Sequence, residues 1–180
     1  LLLEDKVAFI TGGGSGIGEA TAKLFASEGA NVIITDIDDV SGERVSNEIG
    51  SKATYLKCDV TNEEDVLAVI NEITKTHSRI DCAVNNAGIT GNPSNIEDTT
   101  YDNWFKVIHV NLTGVFFCLK HEITQMIKQG SGSIVNVSSG AGLIAVPSMA
   151  AYCASKHALL GLTKTAATEN LSRGIRVNSV

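Results

Sequence analysis

Lys6-Val7-Ala8-Phe9-Ile10-Thr11-Gly12-Gly13-Gly14-Ser15-Gly16-Ile17-Gly18-Glu19-Ala20-Thr21-Ala22 decides how this chain folds. Its first six residues form a short apolar run, the pattern of a parallel strand buried on both faces. Glycines follow. From Glu19 to Ala26 the periodicity is helical, and it stops at Gly29, a residue suited to the turn past a helix end. Strand, glycine loop and helix in this order open a dinucleotide-binding unit. The glycines let the backbone approach a pyrophosphate, whose charge rests on the helix N-terminus. The spacing G-x-G-x-x-G cannot be laid on these residues, whereas T-G-x-x-x-G-x-G fits Thr11, Gly12, Gly16 and Gly18. Gly12, Ser15, Gly16, Ile17 and Gly18 are therefore expected to touch the cofactor.

The next strand, Asn31 to Thr35, ends in Asp36. An acid at that point accepts hydrogen bonds from the adenosine ribose hydroxyls and repels a 2′-phosphate. No arginine or lysine follows Asp36 directly, and Ser15 occupies a loop position where a cation would have met that phosphate. The expected cofactor is NAD, not NADP. Further on, the apolar and polar runs alternate as strands and helices. The reading places a helix at Val40–Ile49, a strand at Ala53–Cys58 ending in Asp59 and Val60, and a helix begun by the capping box Thr61-Asn62-Glu63-Glu64. A strand then leads into Asn85-Asn86-Ala87-Gly88, and one long helix is expected from Tyr101 to Lys128 with Asn111 interrupting its apolar surface. A fifth strand covers Gly132 to Ser139. A helix apolar on nearly every face runs from about Ala150 to Leu171, and a sixth strand starts at Ile175. The fold class is α/β, a doubly wound parallel sheet in three layers, with residues 1–180 as a single dinucleotide-binding domain.

With 43% hydrophobic and 19% charged residues and a net charge of −6, the chain has a globular balance and no basic cluster for nucleic acid. No apolar run reaches membrane-spanning length, and Leu1-Leu2-Leu3 is followed at once by Glu4 and Asp5, unlike a signal peptide. Cys58, Cys82, Cys118 and Cys153 are scattered without metal-ligand spacing, and His77, His109, His121 and His157 share none either. No metal is expected, and the lone thiols suit a reducing, cytoplasmic setting.

Tyr152 and Lys156 stand four residues apart, one above the other on their helix. A buried ammonium beside a phenol favours the phenolate, which brings a tyrosine closer to proton transfer near neutral pH. With these residues laid out, the chain resembles the short-chain dehydrogenase/reductase superfamily in its non-extended subgroup. The resemblance rests on Thr11-to-Gly18, Asp59, Asn85-Asn86-Ala87-Gly88, Asn111, Ser138-Ser139, Tyr152-x-x-x-Lys156 and Arg176-Val177-Asn178, in that order.

The resemblance implies a sheet of order 3-2-1-4-5-6-7 and hydride transfer between a nicotinamide and a carbonyl. It implies a catalytic set of Asn111, Ser139, Tyr152 and Lys156; Ser139 is preferred to Ser138 because the family's serine precedes its tyrosine by thirteen residues. Tyr152 would exchange the proton, Ser139 would donate to the same oxygen, Lys156 would support the tyrosinate and the nicotinamide ribose, and Asn111 would hold a water. It also implies that Asp59 and Val60 flank the adenine and that Asn86, Ala87 and Gly88 line the cleft. Members continue past the point where this sequence stops, so it is expected to be a segment of a longer protein with six of seven strands.

Leu143, Val146 and Met149 near Ser139 suggest an apolar pocket for a hydrophobic or cyclic secondary alcohol or ketone. The apolar helices suggest a homodimer or homotetramer. Two alternatives stay open: a nucleotide-binding subunit without turnover, and an NADP-linked carbonyl or ketoacyl reductase.

Overall fold

Six strands lie side by side and all parallel in the computed structural model, which describes residues 1–180. They are β1 (Val7–Thr11), β2 (Asn31–Asp36), β3 (Ala53–Lys57), β4 (Cys82–Asn85), β5 (Gly132–Asn136) and β6 (Ile175–Ser179), in the order β3-β2-β1-β4-β5-β6. The chain winds outward from β1 in one direction, then returns to its other side at β4. That reversal leaves a crevice at the strand ends, where sheets of this kind hold ligands. β1 is central and all five of its residues are buried, which is why its sequence shows no alternation. Its register sets Phe9 against Ile33 of β2 and Ala83 of β4.

Successive side chains along β1 serve opposite layers. Val7 and Phe9 join the larger core with Val66, Ile70 and Ile73 of α3 (Glu63–His77) and with residues of α5 (Val115–Gln129) and α6 (Ala150–Asn170). Ala8 and Ile10 face Ala22 of α1 (Gly16–Ser27) and Val45 of α2 (Asp39–Ile49). Burying a side chain such as Phe9 contributes roughly 1.5–3 kcal/mol, so the two layers are held mainly by these strands. The doubly wound Rossmann architecture expected from the sequence is the one observed.

Three local expectations are corrected. The cap of α3 is Asn62, whose Oδ1 accepts from Glu64 N at 3.0 Å, and Thr61 turns back to donate from its hydroxyl to Asp59 Oδ1 at 2.7 Å. β5 ends at Asn136, so Val137, Ser138 and Ser139 lie beyond the paired strand. The rod from Tyr101 onward is α4 (Tyr101–Ile108), a wide π turn (His109–Gly114) and then α5. A π turn accommodates an extra residue in the helix, and it does so at the one polar residue expected to interrupt the apolar face, Asn111. No helix is long and apolar enough to cross a membrane.

Candidate active site

The crevice at the reversal point is a cleft of about 540 Å³. Its first wall is the glycine loop. Gly16 has φ +54°, a conformation costly to residues with a side chain. Gly18 lies beneath the loop: a Cβ there would collide with Gly12 O and come within 2.6 Å of Asn86 Nδ2. Gly12, Ser15, Gly16 and Ile17 line the cleft, while Gly18 does not and instead makes room for the loop. Ser15 caps α1 without a side-chain bond, so the first amides of that helix are left for an anion.

Asp36 also lines the cleft, and its Oδ2 accepts from Gly14 N at 3.0 Å while Oδ1 accepts from Asp38 N at 3.1 Å. Beside it the sequence reading missed a cation. Arg44, one helix on, donates to Gly14 O at 3.1 Å and to Glu19 Oε2 at 2.7 Å, and its other nitrogen reaches Glu48 at 2.9 Å. Lys23 bridges the same two glutamates. Hydrogen bonds from Arg44 and then Lys23 hold the Glu19 carboxyl down to about 2. The spacing Arg44–Glu48 was the available signal.

Asp59, Val60, Asn86, Ala87 and Gly88 line the cleft as well. Asn86 does a second job: its Nδ2 donates to Thr11 O at 3.1 Å and Gly12 O at 2.9 Å, and its backbone N donates to Thr11 Oγ1 at 3.1 Å. The end of β4 thereby clamps the end of β1 and fixes the glycine loop. Cys58 lies under this wall, where burial pushes its thiol up to about 12, an inert packing role.

The far end carries Tyr152 and Lys156 of α6, both lining the cleft. Lys156 Nζ lies 5.7 Å from the Tyr152 ring centroid and donates to Val137 O at 2.8 Å. Burial lowers the Lys156 pKa from its ordinary value, by disfavouring the charged form. Gly88 gives the lysine its space, since a Cβ there would lie 3.6 Å from Nζ and 3.2 Å from Asn111 Oδ1.

Asn111 is fully buried behind this wall. Its Oδ1 accepts from Ile89 N at 2.8 Å, and its Nδ2 donates to Ile89 O at 2.8 Å and Ser155 Oγ at 3.1 Å. Ser155 in turn donates to Tyr152 O at 2.7 Å, so the π turn is tied directly to the turn of α6 that bears the tyrosine. The sequence reading overlooked Ser155; its place three residues after Tyr152, on a face otherwise apolar, was the signal. Ser139 does not line the cleft. Its Oγ accepts from Ala141 N at 3.1 Å, capping the short turn Gly140–Gly142, and the lining residue is Ser138.

A parallel sheet with a glycine loop at one end of its crevice and a Tyr–Lys pair at the other defines a nucleotide-dependent dehydrogenase fold. The short chain dehydrogenase profile matches residues 6–180, and the chain belongs to that family. It is 47% identical over 178 residues to secoisolariciresinol dehydrogenase of Forsythia intermedia, covering 98% of this chain and 64% of that protein. It is 44% identical over 183 residues to a short chain dehydrogenase/reductase of Aspergillus oryzae, covering 99% of this chain and 70% of the relative. NAD+-bound xylitol dehydrogenase superimposes with a TM-score of 0.96 at 38% identity, over 98% of this chain and 69% of that one. The chain thus spans about two thirds of the length of these relatives.

Proposed function

We propose that this chain binds NAD(H) and catalyses hydride exchange with a secondary alcohol or ketone, with Tyr152 as the proton-transferring group. The observation that carries the reading is the placement of Tyr152 and Lys156 on the same cleft as the glycine loop and Asp36. The residues fit a dinucleotide: loop backbone that tolerates no Cβ at Gly12 and Gly18, uncapped amides at the start of α1, and a carboxylate at the end of β2.

When bound, the nicotinamide supplies or accepts the hydride. The chain's own residues manage the proton. Tyr152 donates its hydroxyl proton to the carbonyl oxygen in reduction and takes the alcohol proton in oxidation. Lys156, buried and anchored on Val137 O beside the Tyr152 ring, is placed to hold the cofactor's ribose. Ser139, next in the chain to the cleft-lining Ser138, accepts from Ala141 N and has its own hydroxyl proton uncommitted; we assign that proton to a substrate oxygen that would enter beside the cofactor cleft. Asn111 fixes the Tyr152 turn through Ser155. Leu143 and Ile144, 75% and 65% exposed just past Ser139, offer an apolar wall, which supports a hydrophobic substrate.

Asp36 supports NAD over NADP, because a 2′-phosphate would meet its carboxylate. Arg44 favours the NADP-linked alternative in one respect: a guanidinium stands on Gly14 O. Its engagement by Glu19 and Glu48 weighs the other way. Trp104, Phe105 and Phe116 are 40%, 50% and 46% exposed on α4 and α5, which supports a homodimer or homotetramer through these helices. Sedimentation as a clean monomer would contradict that arrangement.

The test is NADH absorbance on mixing the protein and NAD with a panel of secondary alcohols. Turnover is expected, with NADP a poorer cofactor, and Tyr152→Phe should lower the rate by about 10²–10⁴-fold. Unchanged turnover in Tyr152→Phe would sink the mechanism. NAD binding without turnover on any alcohol or ketone would favour a binding subunit instead.

A further inference from the structure

Below the cleft, four polar side chains run in a line through the core, none of them more than 5% exposed. Their hydrogen-bond directions can be read from one end. Thr163 Oγ1 donates its single proton to Leu159 O at 2.8 Å, so it can only accept from its neighbour. Asn136 therefore turns its Nδ2 to Thr163, at 2.9 Å, and presents Oδ1 to Asn85. Asn85 must answer with Nδ2, which donates to Asn136 Oδ1 at 3.0 Å and to Glu122 Oε2 at 3.1 Å. No amide in the line can be flipped without breaking the bond before it. Two buried atoms have no hydrogen-bond partner within the protein, Asn85 Oδ1 and Glu122 Oε1. They belong to the two residues already joined, and with an ionised Glu122 both would be acceptors. An unpaired buried acceptor and an unpaired buried charge are each costly.

One proton removes both defects. We propose that Glu122 stands in the folded protein as a neutral carboxylic acid whose Oε1–H donates to Asn85 Oδ1, closing a two-bond acid–amide ring that positions the end of β4. Asn85 is the last residue of that strand, and Asn86, Ala87 and Gly88 of the cleft follow it directly. The surroundings agree. The titratable groups near the carboxyl are Cys118, one turn earlier on α5, and Cys58 beyond it, both thiols held protonated by burial. Asn85 on β4 and Asn136 and Thr163 on β5 and α6 carry no charge. Burial pushes the Glu122 carboxyl up to about 8, against the hydrogen bond from Asn85, which lowers it. Glu122 is thus a positioning residue: losing its proton would set a carboxylate against Asn85 Oδ1 and disturb the clamp of Asn86 on Thr11 and Gly12.

Glu122→Gln supplies the same donor and acceptor without a proton to lose, and Glu122→Ala removes both. In wild type the folded carboxyl keeps its proton to about 8, whereas the unfolded one releases it near 4.5. The unfolded chain therefore binds fewer protons across that window, and stability falls as pH rises from about 4.5 to about 8, then levels. Thermal melts of the full chain should show Glu122→Gln gaining on wild type through that window, with Glu122→Ala below both. At neutral pH, difference infrared spectra of wild type minus Glu122→Gln should contain a protonated-carboxyl C=O band. NADH affinity should weaken above about pH 8 in wild type and stay flat in Glu122→Gln.

A pH-independent difference between the melts, or no carboxyl band, overturns the proposal. If Glu122→Ala does not fold, the comparison of wild type with Glu122→Gln decides alone. The NADH arm rests on the NAD(H) reading above, whereas the infrared and melting arms do not. Absence of NADH binding in both proteins therefore counts against that reading, not against the ring.

Discussion

The two ends of the cleft are made of different materials. At the glycine-loop end, proposed above to hold the adenosine, Asp36, Glu19, Lys23, Arg44 and Glu48 are charged and stand near the surface. At the Tyr152 end the buried polar groups are nearly all neutral and directional: Asn111, Ser155, Asn85, Asn136 and Thr163, with Lys156 the one buried ammonium. Charges in water are screened and adaptable, which would suit the choice between two similar cofactors that the proposed function assigns to this end. Buried hydrogen bonds fix orientation to fractions of an ångström, which proton and hydride transfer need. On the proposed function, discrimination belongs to one end and geometry to the other.

The sharpest break of this contrast is Tyr152→Phe, which should lower turnover by about 10²–10⁴-fold and leave NADH affinity nearly intact. Next is Asn111→Leu, which orphans the N–H and C=O of Ile89 and the donor to Ser155. The loss should be roughly 1–3 kcal/mol for each backbone group left unpaired, read as a lower urea midpoint together with reduced turnover. Gly18→Ala forces a methyl into Gly12 O and Asn86, an overpacking that should cost about 1–3 kcal/mol in the melt and weaken NADH binding.

A smaller effect is expected at the adenosine end. Asp36→Ser should leave the fold intact and shift the NAD-to-NADP preference by about tenfold, roughly 1.4 kcal/mol, in paired titrations. The smallest is Glu19→Gln, which loosens Arg44 and should raise NADP affinity modestly. That gain should vanish in high salt, whereas the Asn111→Leu defect should not respond to salt. A salt response of equal size at both ends would erase the distinction.

The adenosine half was legible because its signals are local. Glycines at fixed offsets between a strand and a helix, and an acid at the next strand's end, can be read without knowing the fold. Tyr152 and Lys156 were legible as a spacing, though their meaning came from the rest of the pattern. Other features were hidden for physical reasons. A π turn is built from the same residues as an α turn, so the break at His109–Gly114 leaves no mark in hydrophobic periodicity. Thr61 and Asn62 are both competent caps, and only the chain's path past Asp59 selects Asn62. Arg44 reaches Gly14 from across a helix pair, a contact no offset from Asp36 reveals. Glu122 was visible in principle, as an acid between Cys118 and Met126 at four-residue steps on a buried stripe, but its partners come from β4 and, through it, from β5 and α6.

The wide turn at His109–Gly114 has a consequence for the rod that contains it. Each residue of an α-helix advances the face by about 100°, and the π turn spends one extra residue on the same sweep, so the residues after it stand about 100° from where an unbroken α ladder through this sequence would put them. Upstream, Val107 packs near Gly91 and the loop above the cleft; downstream, Cys118, Glu122 and Met126 look into the sheet. The bulge works as a gear between two clients with incompatible bearings. Forcing an unbroken α ladder through these same residues would swing Glu122 out of the core by more than a quarter turn, whereas deleting one residue within the bulge would restore the ladder and keep Glu122 facing the sheet.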